Sequence, residues 1–145
     1  MSSQNYKNHV RYYTQHHFVF YPVAGILCGI CAYQGFSSNE YRSLWHMMFA
    51  VIALIIWLSF MLRQHYSLGN QNRIVRIEMR FRYYRLTQKN FEEIEQQLTL
   101  SQILALRFAS DEELVSLIER SIKEKLSADE IKRSIKNWVP DHMRA

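Results

Sequence analysis

The sequence predicts an all-α protein: a two-helix transmembrane hairpin followed by a cytoplasmic bundle of short helices. Three observations carry that fold class. Residues 18–36 and 44–62 form two long apolar runs separated by the short polar insert 37–43. The charged residues lie almost entirely after them: every Lys and Arg except Lys7, Arg11, Arg42 and Arg63 falls at or beyond Arg73, and every acid except Glu40 follows it. That second half then carries a series of helix-capping signals, each in front of a short apolar-periodic segment. The chain of 145 residues therefore divides into an interfacial arm over 1–17, a hairpin over 18–68 and a helical domain over 69–145.

At ~1.5 Å per residue the first run approaches the ~30 Å thickness of a bilayer core. Phe18, Phe20 and Tyr21 gather aromatic rings at one end, and Tyr33 and Phe36 at the other. Pro22 sits near the start, where a missing N–H costs little if the helix begins at about Tyr21. Gly25 and Gly29 have the G-x-x-x-G spacing that lets a second helix approach, and the second span is the expected neighbour. No convincing cleavage site closes this run, so it reads as uncleaved. The second run is apolar on every face, as a membrane span or a deeply buried core helix must be. A chain this small cannot bury two such helices in a soluble core. Ser37, Ser38 and Asn39 supply N-cap candidates for a helix starting near Glu40.

Loop charge sets the orientation. The connector carries one Arg and one Glu, the arm carries Lys7 and Arg11, and Arg63 and a basic cluster follow the second run. Positive residues favour the cytoplasmic side, so both termini are expected there. The formal net charge of +5 is concentrated between Arg73 and Lys89, where Arg76, Arg80, Arg82 and Arg85 also lie and Glu78 is the single acid. Such a segment just beyond a span points to anionic lipid headgroups, with Arg73, Arg76, Arg80, Arg82 and Arg85 as the contacts. It does not point to nucleic acid, because it sits at the membrane and matches no recognised nucleic-acid-binding fold.

In the polar half, residues 67–70 read as a stop for the second span. Ile74, Ile77, Phe81 and Tyr84 then recur at alternating spacings of three and four, one stripe of a helix that can lie on lipid or pack on the helices that follow. Residues 87–90 read as a break. Four capping pairs come next: Asn90 with Glu93, Thr99 with Gln102, Ser110 with Glu113, and Ser127 with Glu130. Their apolar faces are Phe91, Ile94 and Leu98; Leu100, Ile103, Leu104 and Phe108; Leu114, Leu117, Ile118 and Ile122; and Ile131, Ile135 and Trp138, the last segment ending at Pro140. Each is too short to be stable alone.

Three stretches carry a resemblance: Gln4-Asn5-Tyr6-Lys7-Asn8-His9-Val10-Arg11-Tyr12-Tyr13 with His16-His17-Phe18 after it, Leu106-Arg107-Phe108-Ala109-Ser110-Asp111-Glu112-Glu113, and Ile135-Lys136-Asn137-Trp138. They resemble an uncharacterised family, a domain of unknown function, of short bacterial membrane proteins best represented in the Bacteroidetes group. The resemblance spans essentially the whole chain. It implies a two-span layout and a bacterial envelope location; with the orientation that loop charge sets, the expected place is the inner membrane with both ends cytoplasmic. It implies no activity and no site residues.

Candidate chemistry is sparse. Cys28 and Cys31 share a helical face in the outer half of the first run, at the depth of His46, Met47 and Met48, and soft sulfur with imidazole suits copper. His16 or His17 with His65 would place imidazoles at the inner ends of both spans, as bis-imidazole haem ligation needs. In both cases packing and interfacial roles are the commoner use of such residues. No phosphate loop, nucleophile elbow or zinc-protease helix is present. The expectation is a non-enzymatic, cofactor-free interaction or accessory protein. It would be held by the bilayer and would dock another membrane or cytoplasmic protein, or itself. A small metal- or haem-binding membrane protein, using Cys28, Cys31 and His46 or His17 and His65, is the alternative.

Overall fold

The computed structural model describes residues 4–9 and 13–141. Val10, Arg11 and Tyr12, which entered the charge argument and the resemblance, lie outside the described residues. The described residues are helical apart from turns and a single antiparallel bridge, Ala109 with Trp138. They fall into two compact units: Tyr12–Leu68, and Met1–Arg11 together with Gly69–Ala145.

The first unit is the apolar one. A π-helical turn, Gln15–Phe20, leads into α1, Tyr21–Ser37; after a short connector comes α2, Arg42–Met61. Pro22 explains the π turn. It lacks an N–H and its ring crowds the carbonyl four residues back, so the preceding turn widens and Tyr21 N–H bonds to His16 instead. The helical run thus starts at Gln15, ahead of the expected Phe18. The second helix begins at Arg42, slightly later than expected. Its cap residue, Tyr41, offers no side-chain cap; Ser38 Oγ accepts from the Tyr41 amide at 3.3 Å and Asn39 accepts from Arg42 at 3.0 Å.

The packing of α1 on α2 differs from the expected G-x-x-x-G contact. Gly25 and Gly29 have nothing within 4 Å of where a Cβ would stand. The buried positions of α1 are Ala24, Cys31 and Gly35, another small-residue face of the same helix. At Gly35 a Cβ would lie 2.5 Å from the His46 ring, so glycine is what admits that imidazole. The G-x-x-x-G spacing does not serve the α2 contact because it points about a third of a turn away from the seam. No residue of α2 is buried, although it is apolar throughout. Both helices are long and apolar enough to cross a membrane.

Helical backbone continues from Arg42 to Thr87, so residues 67–70 do not stop it. A second π turn, Leu62–Ser67, is followed by α3, Leu68–Thr87. A lone glycine, Gly69, lowers helix propensity by only ~1 kcal/mol, too little to end a helix whose next turns are held by packing. Helix α3 does end where expected, at Thr87, with Gln88 at φ 58°.

The second unit is built on α3. It adds α4, Glu92–Glu95; α5, Leu100–Leu106; α6, Asp111–Lys123; and α7, Ala128–Ser134. Val75, Met79 and Tyr83 face its core, where Phe91, Ile103, Leu106, Leu114, Ile118 and Ile131 are almost wholly buried. Burying a side chain of that size contributes roughly 1.5–3 kcal/mol. The stripe Ile74, Ile77, Phe81 and Tyr84 does not join this core.

Three of the four capping pairs form. Thr99 and Gln102 cap α5, and Ser127 and Glu130 cap α7, where the Ser127 hydroxyl and amide hold the Glu130 carboxyl below its usual range. Ser110 and Glu113 open α6 more loosely, the Ser110 amide reaching Glu113 at 3.5 Å. Asn90 caps nothing: α4 starts after Phe91, whose ring is buried against Tyr83. Helix α6 ends in a Schellman turn. Lys125 takes the left-handed conformation at φ 52°, Leu126 N–H bonds to Ser121 at 3.1 Å, and Lys125 N–H to Ile122 at 3.4 Å. Helix α7 stops at Ser134, short of Pro140, because Ile135 turns extended and the chain leaves to pair Trp138 with Ala109.

Glu95 is the buried acid of this unit. Its carboxylate accepts from Arg76 at 2.6 Å and from Arg80 at 2.7 Å, while Arg80 also reaches Glu92 at 3.4 Å. Replacing Glu95 by Gln leaves two guanidinium groups with a neutral partner. They are 41% and 42% exposed and can rehydrate, so the cost stays near the lower part of the ~1–3 kcal/mol expected for a lost charged hydrogen bond. The midpoint of heat unfolding of the full chain in mild detergent should fall by several degrees in Glu95→Gln and stay put in Glu93→Gln, an exposed neighbour. Equal midpoints would contradict this role.

Candidate functional site

Parts of the three stretches that carried the resemblance meet in the second unit: residues 4–9 of the first, with the second and the third. Tyr6 and His9 of the N-terminal segment sit on α7 and on the residues after α5. The Tyr6 hydroxyl donates to Asp129 at 2.6 Å and accepts from Arg133 Nε at 3.2 Å, and the Arg133 guanidinium lies over the Tyr6 ring at 5.2 Å. These contacts raise the affinity of Arg133 for its proton, the Tyr6 hydrogen bond first and Asp129 second. His9 has Nδ1 2.6 Å from the Tyr6 carbonyl and Nε2 3.1 Å from Lys132 Nζ. Both distances fit a neutral ring that donates from Nδ1 and accepts at Nε2. Gln4 accepts from the Asp141 amide at 2.7 Å.

Behind these polar contacts lies an aromatic stack. Phe108, 2% exposed, is stacked with Trp138 at 4.7 Å, and His9 meets both rings at 6.1 and 5.9 Å. The Arg107 guanidinium covers the Phe108 ring at 4.6 Å and pairs with Asp141 at 3.2 Å. Val139 N–H bonds to the Phe108 carbonyl at 2.7 Å, and Glu113 accepts from the amides of Lys136 and Asn137 at 3.1 and 3.0 Å. Glu113 thereby serves both the cap of α6 and the segment that brings in Trp138. The cluster is a clasp that fixes the N-terminal segment to the C-terminal part of the chain. Its contacts are ring stacking, hydrogen bonds and ion pairs.

A second polar cluster joins α3 to the connector between α5 and α6. Arg82, only 18% exposed, donates to Asp111 and to the carbonyls of Arg107 and Ala109, the former at 3.1 Å; Arg85 also reaches Asp111. A cation there suits the carbonyl end of α5, and the acid suits the amide end of α6. Four of the five arginines expected to meet lipid headgroups, Arg76, Arg80, Arg82 and Arg85, are thus engaged with acids of the chain itself. Arg73 is the fifth, and among the described residues it makes no ion pair.

The metal candidates are placed apart from any assembled site. Cys31 is buried and Cys28 half-buried on the face of α1 that carries Ala24 and Gly35; His46 packs on Gly35 and Phe36. Met47 is exposed. His16 is stacked on Phe20 and meets Tyr21 edge-on, with Nε2 buried and unpartnered among the described residues, and His65 lies in the π turn after α2. No group of three or more His, Cys, Asp or Glu side chains able to hold a metal occurs among the described residues. The groove beside α1 and α2, lined by Val19, Val23, Leu27, Ile52 and Ile55, is apolar.

The family of unknown function DUF6526 matches residues 1–145. The chain belongs to this family. The match runs through both units of this DUF6526 chain, the residues of the clasp included. No curated protein and no solved structure shows significant similarity to it. The residues of the clasp stand out in the sequence as separate stretches, and nothing local in the chain shows that they meet. The signal that could have joined them was chemical: Tyr6 and His9 before α1, and Phe108 and Trp138 beyond α2, are aromatic residues in polar surroundings.

Arg82 and Arg85 hold the Asp111 carboxyl below the usual carboxylate range, the Arg82 hydrogen bond being the largest cause, against the opposing effect of burial. A carboxyl depressed on folding contributes stability in full above its unfolded value of about 3.9, and the contribution disappears as pH falls through the folded value. Asp111 is 40% exposed, so solvent screening keeps the contribution small. Unfolding midpoints measured from pH 6 down to pH 2 should therefore fall on acidification, and Asp111→Asn should be less stable at pH 6 and converge on the unmodified chain near pH 2. A constant gap across that range would refute the assignment.

Proposed function

We propose that this chain is a two-span protein of the bacterial inner membrane with both ends in the cytoplasm. Its function would be non-enzymatic: to hold a small helical domain at the inner face, where it serves as an interaction or accessory module. The observation that carries the reading is the clasp. The segment before the first apolar helix and the domain after the second belong to one compact unit. An even number of membrane crossings between them is the arrangement that keeps them on one side. Lipid is also the natural cover for α2, which is apolar throughout and buries no residue. Arginine and lysine on the arm and domain favour the cytoplasmic side.

The interaction role rests on the character of the two polar clusters. Their charges are spent on internal pairs and their geometry offers no reacting group. A metal or haem role is the second reading, and the unpartnered Nε2 of His16 is the observation that favours it.

Alkaline carbonate extraction of expressing cells tests the anchor. The protein should stay in the membrane pellet and leave it only with detergent. Purified in several mild detergents, it should run within a larger assembly. Release by carbonate would refute the anchor, and a partner-free monomer in every detergent would refute the interaction role.

A further inference from the structure

Among the described residues of the second unit, α3 carries a stripe that neither the core nor the clasp absorbs. Ile74, Ile77, Phe81 and Tyr84 are 55%, 64%, 68% and 49% exposed, high values for four large apolar side chains in one row. Their spacing of three, four and three is that of a and d positions over two heptads. The same register puts Val75, Met79, Tyr83, Arg76 and Arg82 at b, c and f, and these are the residues that hold α3 to its own bundle. Helix α3 therefore has two working faces, one satisfied within the chain and one bare.

Charge identifies what covers the bare face. Six charged residues lie on α3: Arg73, Arg76, Glu78, Arg80, Arg82 and Arg85. Arg76, Arg80, Arg82 and Arg85 pair inside the chain. Arg73 and Glu78 make no ion pair among the described residues, and they flank the stripe at g and e. In a parallel two-stranded coiled coil, the g residue of one helix meets the e residue five positions on in its partner. Arg73 of one chain then meets Glu78 of the other, twice by symmetry. The next such pair sets Arg80 against Arg85, a repulsion lessened by the carboxylate each already touches, Glu95 for Arg80 and Asp111 for Arg85.

We propose that the stripe is a homodimer seam, and that the occupant of this face is the α3 helix of a second copy of the chain, parallel and in register. The parallel sense rests on the membrane reading above: two copies inserted the same way must present α3 in the same direction. Two heptads are short for a stable pair in solution. Confinement to one bilayer raises the effective concentration of the partner and lowers the strength that the seam must supply.

The test is disulfide cross-linking in isolated membranes, with Cys28 and Cys31 replaced by Ala and one cysteine introduced at a time. Ile77→Cys, at a d position, should give a band at twice the chain's mass on mild oxidation. Leu86→Cys, at an f position, should give none. Added to Ile77→Cys, Arg73→Glu or Glu78→Arg alone should reduce the dimer band several-fold, and the two together should restore it. These side chains are exposed, so the variants keep the fold. No dimer band at Ile77, equal bands at Ile77 and Leu86, or no recovery in the double charge swap would overturn the proposal. So would quenching of a fluorophore on Phe81→Cys by brominated lipid, which would put the stripe on the bilayer. Carbonate extraction of the same membranes separates the two claims. A chain that stays in the pellet without cross-linking refutes the dimer alone; a chain released by carbonate refutes the anchor, and with it the reason for parallel pairing.

Discussion

The structure depends on what Arg82 does. One guanidinium, largely withdrawn from water, bonds to Asp111 at the start of α6 and to two carbonyls beyond α5. Those carbonyls and that carboxylate lie on a connector that would otherwise have to satisfy them with solvent. Arginine suits the position because its planar fork can serve several acceptors at once, which a lysine ammonium cannot do with the same geometry. The connector so held includes Phe108, and Phe108 is the floor on which Trp138 and His9 pack. The clasp of the N-terminal segment thus rests, through a few covalent bonds, on an arginine of α3.

Four arginines of α3 have partners that their sequence position does not suggest. A cluster of positive charge beyond an apolar run reads as a lipid-facing patch. In the folded chain it is a row of internal partners, Arg76 and Arg80 for Glu95, Arg82 and Arg85 for Asp111. The acids that neutralise them lie far enough along the chain that charge counted in a local window misses them. Long-range ion pairs have no periodic signature, whereas helix faces do.

Much of the fold was legible. The apolar runs appear as α1 and α2, and the Thr99, Ser110 and Ser127 boxes open helices where the local chemistry requires. What sequence reading missed was decided by non-local packing. The stripe of Ile74, Ile77, Phe81 and Tyr84 has the better apolar period, yet Val75, Met79 and Tyr83 face the core, with the arginines beside them on Glu95 and Asp111. Gly25 and Gly29 have the familiar spacing, but Gly35 makes the close approach, to His46. Residues 67–70 carry a glycine and an asparagine but stay helical. Of the candidate site, the stretches of the clasp were visible as text, while their meeting across more than a hundred residues was not. Asn90 and Pro140 show the same limit: a capping residue and a breaker act only where tertiary contacts let the helix reach them.

The central claim is that the N-terminal segment and the C-terminal domain share one side of a membrane, with only the connector on the other. Cysteine accessibility in intact spheroplasts tests it most directly. In a chain with Cys28 and Cys31 replaced by Ala, Asn39→Cys should react with a membrane-impermeant maleimide from outside, and Lys7→Cys and Ser116→Cys should react only after permeabilisation. Lys7 and Ser116 labelled from opposite sides, or Asn39 labelled from the same side as both, would contradict the account.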